Sequence, residues 1–500
     1  MAQWGSTRHR QSRVRISSDC STVHAMFSKI RTQEQGERKN LNCKIQKHPK
    51  APLTCLYLIV AGGLFINPLA GCQAKTEKTD PVPTAVIRGG SMAPTLLGEH
   101  YSLACNDCNF PFPVDAANMP QSGFAACPNC GYDKNPFEGA KQKRSKAIPI
   151  QIQDSQIHRW DLVAFRFDHS ANQTTRNGVK RVVGLPGETI LIQNGDIWVN
   201  GKIAERSSRQ KSEMMISHYD SRYIPSSIGI EPRWNIDGNR NWTVKNNQFV
   251  WRNDTDNASK PDSLSYQPAH CFASKHNRKP ISFIPDSYGF NQNHSRIELN
   301  AVDQVFVDFP VELAPQSYLT FSTTCGGNPI VFQVDPTQKE VSIRSGSQTA
   351  TATLPTTIQN QSRFDVGFCT FDFSPTLLIG GQSVCQLELA GTTKKAAKPT
   401  DASQFVFDIR IHGPEPTAST ASNASNASPK TPPATLGPIQ IYRDIYYFSN
   451  HHSQFTLADD EYLLLGDNVP ISIDSRHWHE PTIRQQQIIG TLSLESTKID

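Results

Sequence analysis

The sequence predicts a mainly β protein with a small cysteine-rich module set between its strands. Short runs of alternating apolar and polar residues, separated by turn residues, recur from residue 81 onwards. The 34 prolines, with many Asn, Ser and Thr residues, favour strands and long loops over helical bundles. A chain of 500 residues is long enough for two to four domains. The net charge of +5 arises partly from a basic N-terminus, so no nucleic-acid partner is expected.

The first 72 residues predict a basic segment followed by a membrane-directed one. Residues 1–50 are rich in Lys and Arg and are predicted to be disordered, with Met26 as an alternative start. The uncharged run in residues 51–72 has the layout of a signal segment or membrane anchor. Its closing LAGC resembles a bacterial lipobox, in which Cys72 would be lipidated. An uncleaved helix and a buried core segment are the alternatives, and either anchor places the following chain just outside a membrane.

The stretch IRGGSMAPTL, residues 87–96, lies in a strand-like segment and places Ser91 at a turn. Two glycines before the serine allow a sharp turn, and Pro94 prevents a helix from forming around it. This geometry exposes a hydroxyl but does not activate it. Taken by themselves, these residues favour a polar turn over a nucleophile.

Residues 105–146 carry two CxxC pairs at the spacing of a zinc ribbon, followed by a polar linker. The four candidate ligands are Cys105, Cys108, Cys127 and Cys130. Four thiolates bind Zn²⁺ tetrahedrally and let a segment too small for a core fold. Two disulfides are the alternative, because an exported segment meets an oxidising compartment. Few basic residues lie between the pairs, which favours a structural role.

Residues 158–204 predict a compact β unit. Two Asn-Gly pairs bracket the run DIWV, which indicates a hairpin. Lys180 lies between valines on an apolar strand, where desolvation would lower its pKa and make it a candidate base. Most lysines on strands are solvated, so Lys180 by itself is weak evidence for a catalytic base and gains weight only together with other motifs.

Residues 205–412 predict a β-sandwich of the jelly-roll kind. Alternating runs such as QVFVDFPVEL and SYLTFST are separated by turn residues. The pattern loosely resembles concanavalin-like jelly rolls, which often bind carbohydrate, but no motif supports sugar binding. The four cysteines of this region are even in number and could form disulfides: Cys271, Cys325, Cys369 and Cys385. Residues 413–438 are of low complexity and predict a linker.

Residues 439–500 resume the strand pattern and contain GDNVPISIDSR, residues 466–476. This dense set of polar residues directly follows an apolar strand, which suits a hydrogen-bonded network. Asp474 and Arg476 are spaced to lie on the same face of a strand and to form an ion pair.

In order, these segments resemble the conserved boxes of the type I signal peptidases, membrane-bound serine proteases with a Ser/Lys dyad. The family's boxes S-M-x-P-T-L, R-G-D-x-V-x-F, K-R-V-x-G-x-P-G-D and G-D-N with S-x-D-S-R correspond here to SMAPTL, RWDLVAF, KRVVGLPGE and GDNVPISIDSR. The resemblance implies a signal-peptidase-like β core formed by residues 81–104, 158–204 and 439–500. The cysteine ribbon and the sandwich would then be insertions within it.

The resemblance also implies the roles of individual residues. Ser91 takes the position of the nucleophile, Lys180 that of the general base and Ser472 that of the hydroxyl that orients the lysine. The remaining supporting positions are Met92, Pro94, Thr95, Asp161, Arg181, Asp467, Asn468, Asp474 and Arg476.

Three residues depart from the family's pattern. Glu188 stands where the family usually has Asp. Gly89 occupies the position at which some members carry an oxyanion-hole serine, so the hole would depend on backbone amides such as that of Ser91. Trp160 replaces a glycine, which leaves the local backbone open.

The resemblance implies hydrolysis of a peptide bond, without a catalytic cofactor, in exported preproteins that carry Ala-x-Ala before the cut. The partners would be preproteins and the membrane, with the catalytic domain on the outer, periplasmic side. A processing protease with a narrow range of substrates is one alternative. The other is a surface binding protein in which the sandwich is the working part on an inactive peptidase scaffold.

Overall fold

The structure is a computed structural model, and strands form most of its regular elements. It describes residues 83–145, 147–152, 156–169, 174–226, 232–236, 241–252, 263–268, 281, 283–292, 299–359, 361–389, 406–413 and 433–493. Strands account for 47% of the residues and helices for 4%, which confirms the prediction of a mainly β fold. Within the described ranges the one α-helix is α1 (Ser208–Met214), and short 3₁₀ turns occur at Phe371–Phe373 and Gln485–Gln487.

Several predictions concern residues outside the described ranges. These are the basic N-terminus, the membrane-directed run with Cys72, and Cys271. No helix among the described residues has the length and apolar character needed to span a bilayer.

A seven-stranded antiparallel sheet forms the region that carries the Ser91 turn. Its strands are β1 (Thr84–Ala85), β7 (Ile148–Ile152), β8 (Leu162–His169), β9 (Thr174–Gly184), β32 (Glu461–Leu465), β33 (Ile483–Arg484) and β34 (Ile488–Leu492). They lie in the order β1-β7-β34-β8-β9-β32-β33. Successive β8 residues such as Leu162 and Val163 enter different apolar clusters, because neighbouring side chains point to opposite faces of a strand.

A four-stranded sheet continues from this one. It consists of β10 (Thr189–Gln193), β11 (Asp196–Val199), β12 (Lys202–Ile203) and β31 (Gln454–Thr456). Both predicted Asn-Gly pairs form its tight turns, and all four turn residues have positive φ. Asn and Gly tolerate this conformation best, so the predicted hairpin is confirmed.

Two further sheets pack face to face as a β-sandwich. One contains β13 (Ile216–Asp220), β15 (Trp242–Lys245), β16 (Gln248–Trp251), β20 (Val305–Glu312), β25 (Arg363–Cys369), β26 (Thr376–Ile379), β27 (Gln382–Gln386), β29 (Ala434–Leu436) and β30 (Gln440–Arg443). The other contains β14 (Trp234–Asn235), β17 (Leu264–Tyr266), β21 (Tyr318–Cys325), β22 (Asn328–Asp335), β23 (Glu340–Ser345), β24 (Gln348–Thr353) and β28 (Phe407–His412). Phe321 of one sheet stacks on Phe368 of the other, with ring centroids 4.6 Å apart.

The cysteine-rich module is built from short strands. They are β2 (His100–Ala104), β3 (Pro111–Asp115), β4 (Phe124–Ala125), β5 (Asn135–Pro136) and β6 (Lys141–Lys143). Strand β2 lies between β3 and β6, and β4 pairs with β5. One more pair, β18 (Ile284–Pro285) with β19 (Ala301–Val302), borders the sandwich.

The structure moves three of the predicted segment boundaries. Strand β7 lies outside the predicted core segments but joins the core sheet, because Ile148 and Ile150 are buried in its apolar cluster. Strand β30, predicted within the core, pairs instead with β13 and β20 of the sandwich. The predicted linker 413–438 ends too late, because Ala434 and Leu436 of β29 are fully buried in the sandwich core.

The disulfides that the sandwich cysteines could form are not made by the three that the structure describes. Cys325, Cys369 and Cys385 are buried and in no disulfide. Cys325 and Cys385 belong to the sandwich core, whereas Cys369 packs in a separate cluster with Phe306. The three thiols pack as small apolar side chains, and Cys325 Sγ also donates a weak hydrogen bond to the Thr370 carbonyl, 3.6 Å.

Candidate active site

Ser91 lies in a tight, half-buried turn at the edge of the core sheet. The turn is closed by a hydrogen bond from the Ala93 N–H to the Gly90 carbonyl, 3.1 Å. Met92 is 1% exposed and packs into the core cluster beneath the turn, while Pro94, after a cis peptide bond, is half-buried. Buried apolar neighbours therefore hold the backbone on either side of a partly accessible serine.

Lys180 lies near the end of β9 and is only 6% exposed. Its Nζ donates a hydrogen bond to Ser472 Oγ over 2.7 Å. Burial lowers the pKa of Lys180 to about 8, although the charge of Asp474 acts in the opposite direction. A buried amine is costly to charge, so an appreciable fraction of this side chain is neutral near physiological pH.

Gly466 brings Ser91 and Ser472 together. A Cβ at Gly466 would lie 2.1 Å from Ser472 Oγ and 2.5 Å from the Ser91 carbonyl oxygen. The two serines thus flank the same glycine, and Lys180 reaches this place through Ser472. Among the described residues no hydrogen bond joins Lys180 Nζ directly to Ser91 Oγ; such contacts commonly tighten only when substrate is bound.

Two buried ion pairs support this centre. Asp474 accepts two hydrogen bonds from the Arg476 guanidinium, of 2.8 and 2.7 Å, and a third from the Arg476 backbone N–H, 3.2 Å. Burial raises the pKa of the Asp474 carboxyl, but hydrogen bonds from His477 and Arg476 outweigh it and hold the pKa well below its ordinary value. Asp474 also accepts the N–H of Gly466, 3.0 Å, so the ion pair fixes the glycine that separates the serines.

The second pair joins Arg181 to Asp467 through contacts of 2.7 and 2.6 Å. Arg181 also donates to the carbonyl of Trp160, 2.7 Å, and Thr95 Oγ1 donates to Asp467 at 2.5 Å. Burial lowers the pKa of Arg181, but the charge and hydrogen bonds of Asp467 outweigh burial and raise it, so the guanidinium stays charged. Through Thr95 and Arg181, Asp467 links the end of the Ser91 turn to β9.

Asn468 is hydrogen-bonded directly to the Ser91 turn. Its backbone N–H donates to the Ser91 carbonyl, 3.1 Å, and its side-chain amide donates to the Gly90 carbonyl, 2.9 Å. The same side chain pairs with Asn291, a residue of the sandwich region that sequence reasoning missed. Nothing in the sequence pointed to Asn291, since it lies in a turn 177 residues away from Asn468.

The signal peptidase family profile, "Signal peptidase, peptidase S26", matches residues 79–263 and 409–496, more than half of the chain. The chain belongs to the signal peptidase family, peptidase S26. Signal peptidase I V of Bacillus subtilis (strain 168) is 39% identical over 66 residues. That match covers 13% of this chain and 32% of the relative, so the chain spans about a third of the curated relative it matches.

Solved structures give a much weaker likeness. A prokaryotic beta-1,3-1,4-glucanase (lichenase) from a mouse hindgut metagenome has 11% identity and a TM-score of 0.24, over 41% of this chain and 83% of its own. The Bacillus licheniformis beta-glucanase has 10% identity and a TM-score of 0.23, over 40% and 81%. Scores this low carry no argument about fold or function.

The three departures from the signal peptidase pattern have structural explanations. Trp160 has φ +75°, the left-handed conformation that a glycine adopts without strain. Glu188 forms a bidentate ion pair with Arg159, 3.0 and 2.6 Å, and accepts the N–H of Leu185, 2.7 Å. Gly89 is exposed, and a Cβ there would meet no atom within 4 Å.

Asp161, the acid of the second signal peptidase box, acts locally. Its carboxylate accepts the backbone N–H of His158, 2.8 Å, and its carbonyl accepts the N–H of Val182, 2.9 Å. These contacts shape the turn before β8, and they do not reach Ser91.

The four cysteines of the module form a compact buried cluster that could hold a metal ion. Their Sγ atoms lie within 4.8 Å of one another. The separations are 3.7 Å for Cys105–Cys130 and 3.8 Å for Cys108–Cys127. Four thiolates at Zn–S distances of about 2.3 Å lie about 3.8 Å apart at the corners of a tetrahedron. All four are free cysteines, so the alternative of two disulfides is not what the structure contains.

Proposed function

We propose that this protein is a membrane-associated signal peptidase that removes N-terminal signal peptides from exported preproteins. The observation that carries the proposal is the convergence at Gly466: Ser91 on one side, and Ser472 with the buried Lys180 on the other. Membership of the signal peptidase family supplies the reaction class, and the two ion pairs supply the rigid surroundings that acyl transfer needs.

In the proposed reaction, Ser91 is the nucleophile and Lys180 the general base. Neutral Lys180 takes the proton of the Ser91 hydroxyl while Oγ attacks the carbonyl carbon of the scissile bond. The resulting ammonium then protonates the leaving amine, and the C–N bond breaks to leave an ester on Ser91. Lys180, neutral again, takes a proton from water, whose oxygen attacks the ester carbonyl carbon. The Lys180 ammonium returns this proton to Ser91 Oγ as the bond between Oγ and the acyl carbon breaks, which releases the new carboxyl end and restores the enzyme.

Ser472 keeps the lysine in position through this cycle. Its Oγ accepts one N–H of Lys180, which directs the amine's lone pair away from Ser472. Because Lys180 is almost completely buried, this contact restricts the long side chain to few rotamers. We assign Ser472 the role of a positioning residue.

Backbone amides would stabilise the oxyanion. Among the described residues, the Ser91 N–H has no backbone acceptor, so it is free to donate to a developing negative charge. Gly89, beside it, contributes open space rather than a side-chain hydroxyl.

The proposed substrates carry small residues, of the Ala-x-Ala type, before the cut. The proposed location is the outer, periplasmic face of the cell membrane, with residues 51–72 as the anchor or lipoprotein-type signal. Both parts of the proposal depend on the family relationship and on the sequence layout described above. The four-cysteine cluster is proposed to bind one structural Zn²⁺, with no part in the chemistry.

The first experiment measures cleavage of an Ala-x-Ala signal-peptide substrate by full-length protein in detergent. Ser91→Ala and Lys180→Met are each expected to lower kcat/KM by at least about 10³-fold, because nucleophile and base act as a unit. Ser217→Ala and Lys202→Met, at exposed positions, serve as matched controls and should keep wild-type rates. Cleavage that survives Ser91→Ala, or no cleavage by folded wild type, contradicts the proposal.

A further inference from the structure

The turn Asp286–Gln292 of the sandwich region reaches the nucleophile turn, although it lies outside the segments that match the signal peptidase family. Asn291 Nδ2 donates to Asn468 Oδ1, 2.7 Å, and Asn468 Nδ2 donates back to Asn291 Oδ1, 2.9 Å. The two side chains are 8% and 2% exposed. They therefore form a reciprocal amide pair that is shielded from water.

This pair fixes how the Asn468 amide is oriented. With one N–H and the oxygen used by Asn291, the second N–H points at the Gly90 carbonyl, 2.9 Å. Gly90 directly precedes Ser91. The peptide unit that carries the proposed oxyanion donor, the Ser91 N–H, is thus the same unit whose carbonyl Asn468 holds.

Phe290 adds a steric constraint at the same peptide. It is fully buried, and a Cβ at Gly90 would lie 2.5 Å from its ring. The carbonyl of Phe290 accepts the N–H of Asp115, 3.1 Å. The sandwich region thus contacts the nucleophile turn through both a hydrogen-bonded amide and a packed ring.

The turn itself is held at both ends. At its start, Arg443 donates to the carbonyls of Asp286 and Ser287, 2.8 and 3.1 Å. At its end, the Gln292 amide makes two hydrogen bonds with the backbone of Ala126, 2.8 and 2.9 Å, next to the metal-binding candidate Cys127. Hydrogen bonds at both ends of this turn therefore restrict the position of Asn291.

We propose that Asn291 is a positioning residue for Ser91, acting through Asn468, so that the inserted sandwich completes the catalytic centre of the peptidase. The proposal rests on the assignment of Ser91 as nucleophile under the proposed function. Without Asn291, the buried Asn468 amide loses both of its contacts on one side and can rotate away from Gly90. The Gly90–Ser91 peptide then loses the restraint that aims its N–H and hydroxyl.

The test compares Asn291→Ala and Asn468→Ala with Gln304→Ala. Gln304 is a buried amide of the same sandwich, 4% exposed. Its Nε2 donates to Asp196 and its Oε1 accepts the Asp372 N–H, and it makes no hydrogen bond to the nucleophile turn. Hydrogen exchange of the peptide covering residues 88–96 is measured first, because it does not require activity. Asn291→Ala should speed that exchange about tenfold, whereas Gln304→Ala should leave it unchanged.

Kinetics on the signal-peptide substrate give the second measurement. Asn291→Ala should lower kcat about 10-fold to 100-fold with KM within about twofold, and the double variant with Asn468→Ala should be no slower than the slower single variant. Asn291→Asp keeps the acceptor for Asn468 Nδ2 but sets a carboxylate oxygen against Asn468 Oδ1, where Asn291 Nδ2 now donates, so its kcat should be no higher than that of Asn291→Ala.

Two results would overturn the proposal: unchanged exchange at residues 88–96 in Asn291→Ala, or a loss of kcat no larger than that of Gln304→Ala. Failure of the proposed function shows itself differently. In that case Ser91→Ala retains activity, or wild type cleaves nothing, while the exchange measurement still decides whether Asn291 holds the turn.

Discussion

At the scale of single residues, the burial of one amine decides the pH dependence of the proposed reaction. A pKa of about 8 for Lys180 means that the amine is mostly protonated below this pH and mostly neutral above it. Only the neutral form can accept the Ser91 proton. We expect kcat/KM to rise with pH about tenfold per unit below pH 8 and to level off above it. A pH–rate profile checks this, and a profile that falls between pH 6 and 8 would contradict the assignment of Lys180.

Gly466 offers a test of the same centre by steric exclusion. An alanine there would place its Cβ against Ser472 Oγ and the Ser91 carbonyl, so both serines would have to move. We expect Gly466→Ala to lower kcat about 100-fold. Gly367→Ala, in the sandwich, is the control, because its added Cβ would meet the Phe306 ring at 2.8 Å, a steric clash outside the Ser91 site. Equal rates for the two variants would show that the packing at Gly466 does not matter.

At Trp160, backbone strain and burial of the side chain affect stability in opposite directions. Its left-handed backbone costs about 1–2 kcal/mol relative to glycine, but its ring is buried and stacked on Tyr447 at 6.5 Å. Truncation of a buried Trp costs about 3–5 kcal/mol. We therefore expect Trp160→Gly to lower the free energy of unfolding by about 2–3 kcal/mol, although the family has glycine here. Denaturant titration measures this, and a more stable variant would show that the backbone strain is the larger energy.

At the scale of elements, one buried arginine joins strands that are far apart in sequence. The Arg206 guanidinium donates from Nε to Asp372 Oδ1, 2.8 Å, and from Nη1 to Asp444 Oδ1, 2.7 Å. Asp196 lies beside these two carboxylates. Burial and the neighbouring carboxylates hold the pKa of Asp196 well above its ordinary value. The cluster links the segment before α1 to β11, the 3₁₀ turn and the end of β30.

Arg206→Met is expected to destabilise the protein by about 3–5 kcal/mol at neutral pH, since it removes the buried guanidinium that pairs with both Asp372 and Asp444, although Asp372 keeps its ion pair with Lys211, 3.3 Å. The Arg206 charge lowers the pKa of Asp196, which burial holds well above its ordinary value, so its removal should raise that pKa further. A carboxyl with a raised folded-state pKa loses stability as pH rises, so the loss caused by the substitution should be smaller near pH 4 and grow as pH rises towards 8. Denaturant unfolding at both pH values tests this, and an equal loss at both would contradict it.

At the scale of the whole molecule, the cysteine module, the sandwich and the core sheet meet at the Ser91 turn. Asn129 of the module donates to the carbonyls of Asp220 and Tyr223, 3.3 and 2.9 Å, and Asp220 belongs to the sandwich. If the four cysteines hold Zn²⁺, the metal stabilises more than its own module.

We expect the purified protein to contain about one zinc per chain and to lose thermal stability when a strong chelator removes it. Cys127→Ser should lower both the zinc content and the Tm. Cys325→Ser, which changes a buried cysteine outside the cluster, should keep the zinc. Elemental analysis and thermal unfolding make the comparison, and a metal-free wild type of unchanged Tm would contradict the zinc proposal.

The sequence by itself determined the features that depend on local chemistry. Alternating strands, the Asn-Gly turns and the four conserved boxes were all readable from residues a few positions apart, because period, turn conformation and motif are local properties. The absence of disulfides among the described sandwich cysteines, the place of β7 and β30, and the left-handed Trp160 were decided only by packing. The same holds for Asn291, since its partner Asn468 lies 177 residues away and no local pattern marks an amide that a fold will bury against another.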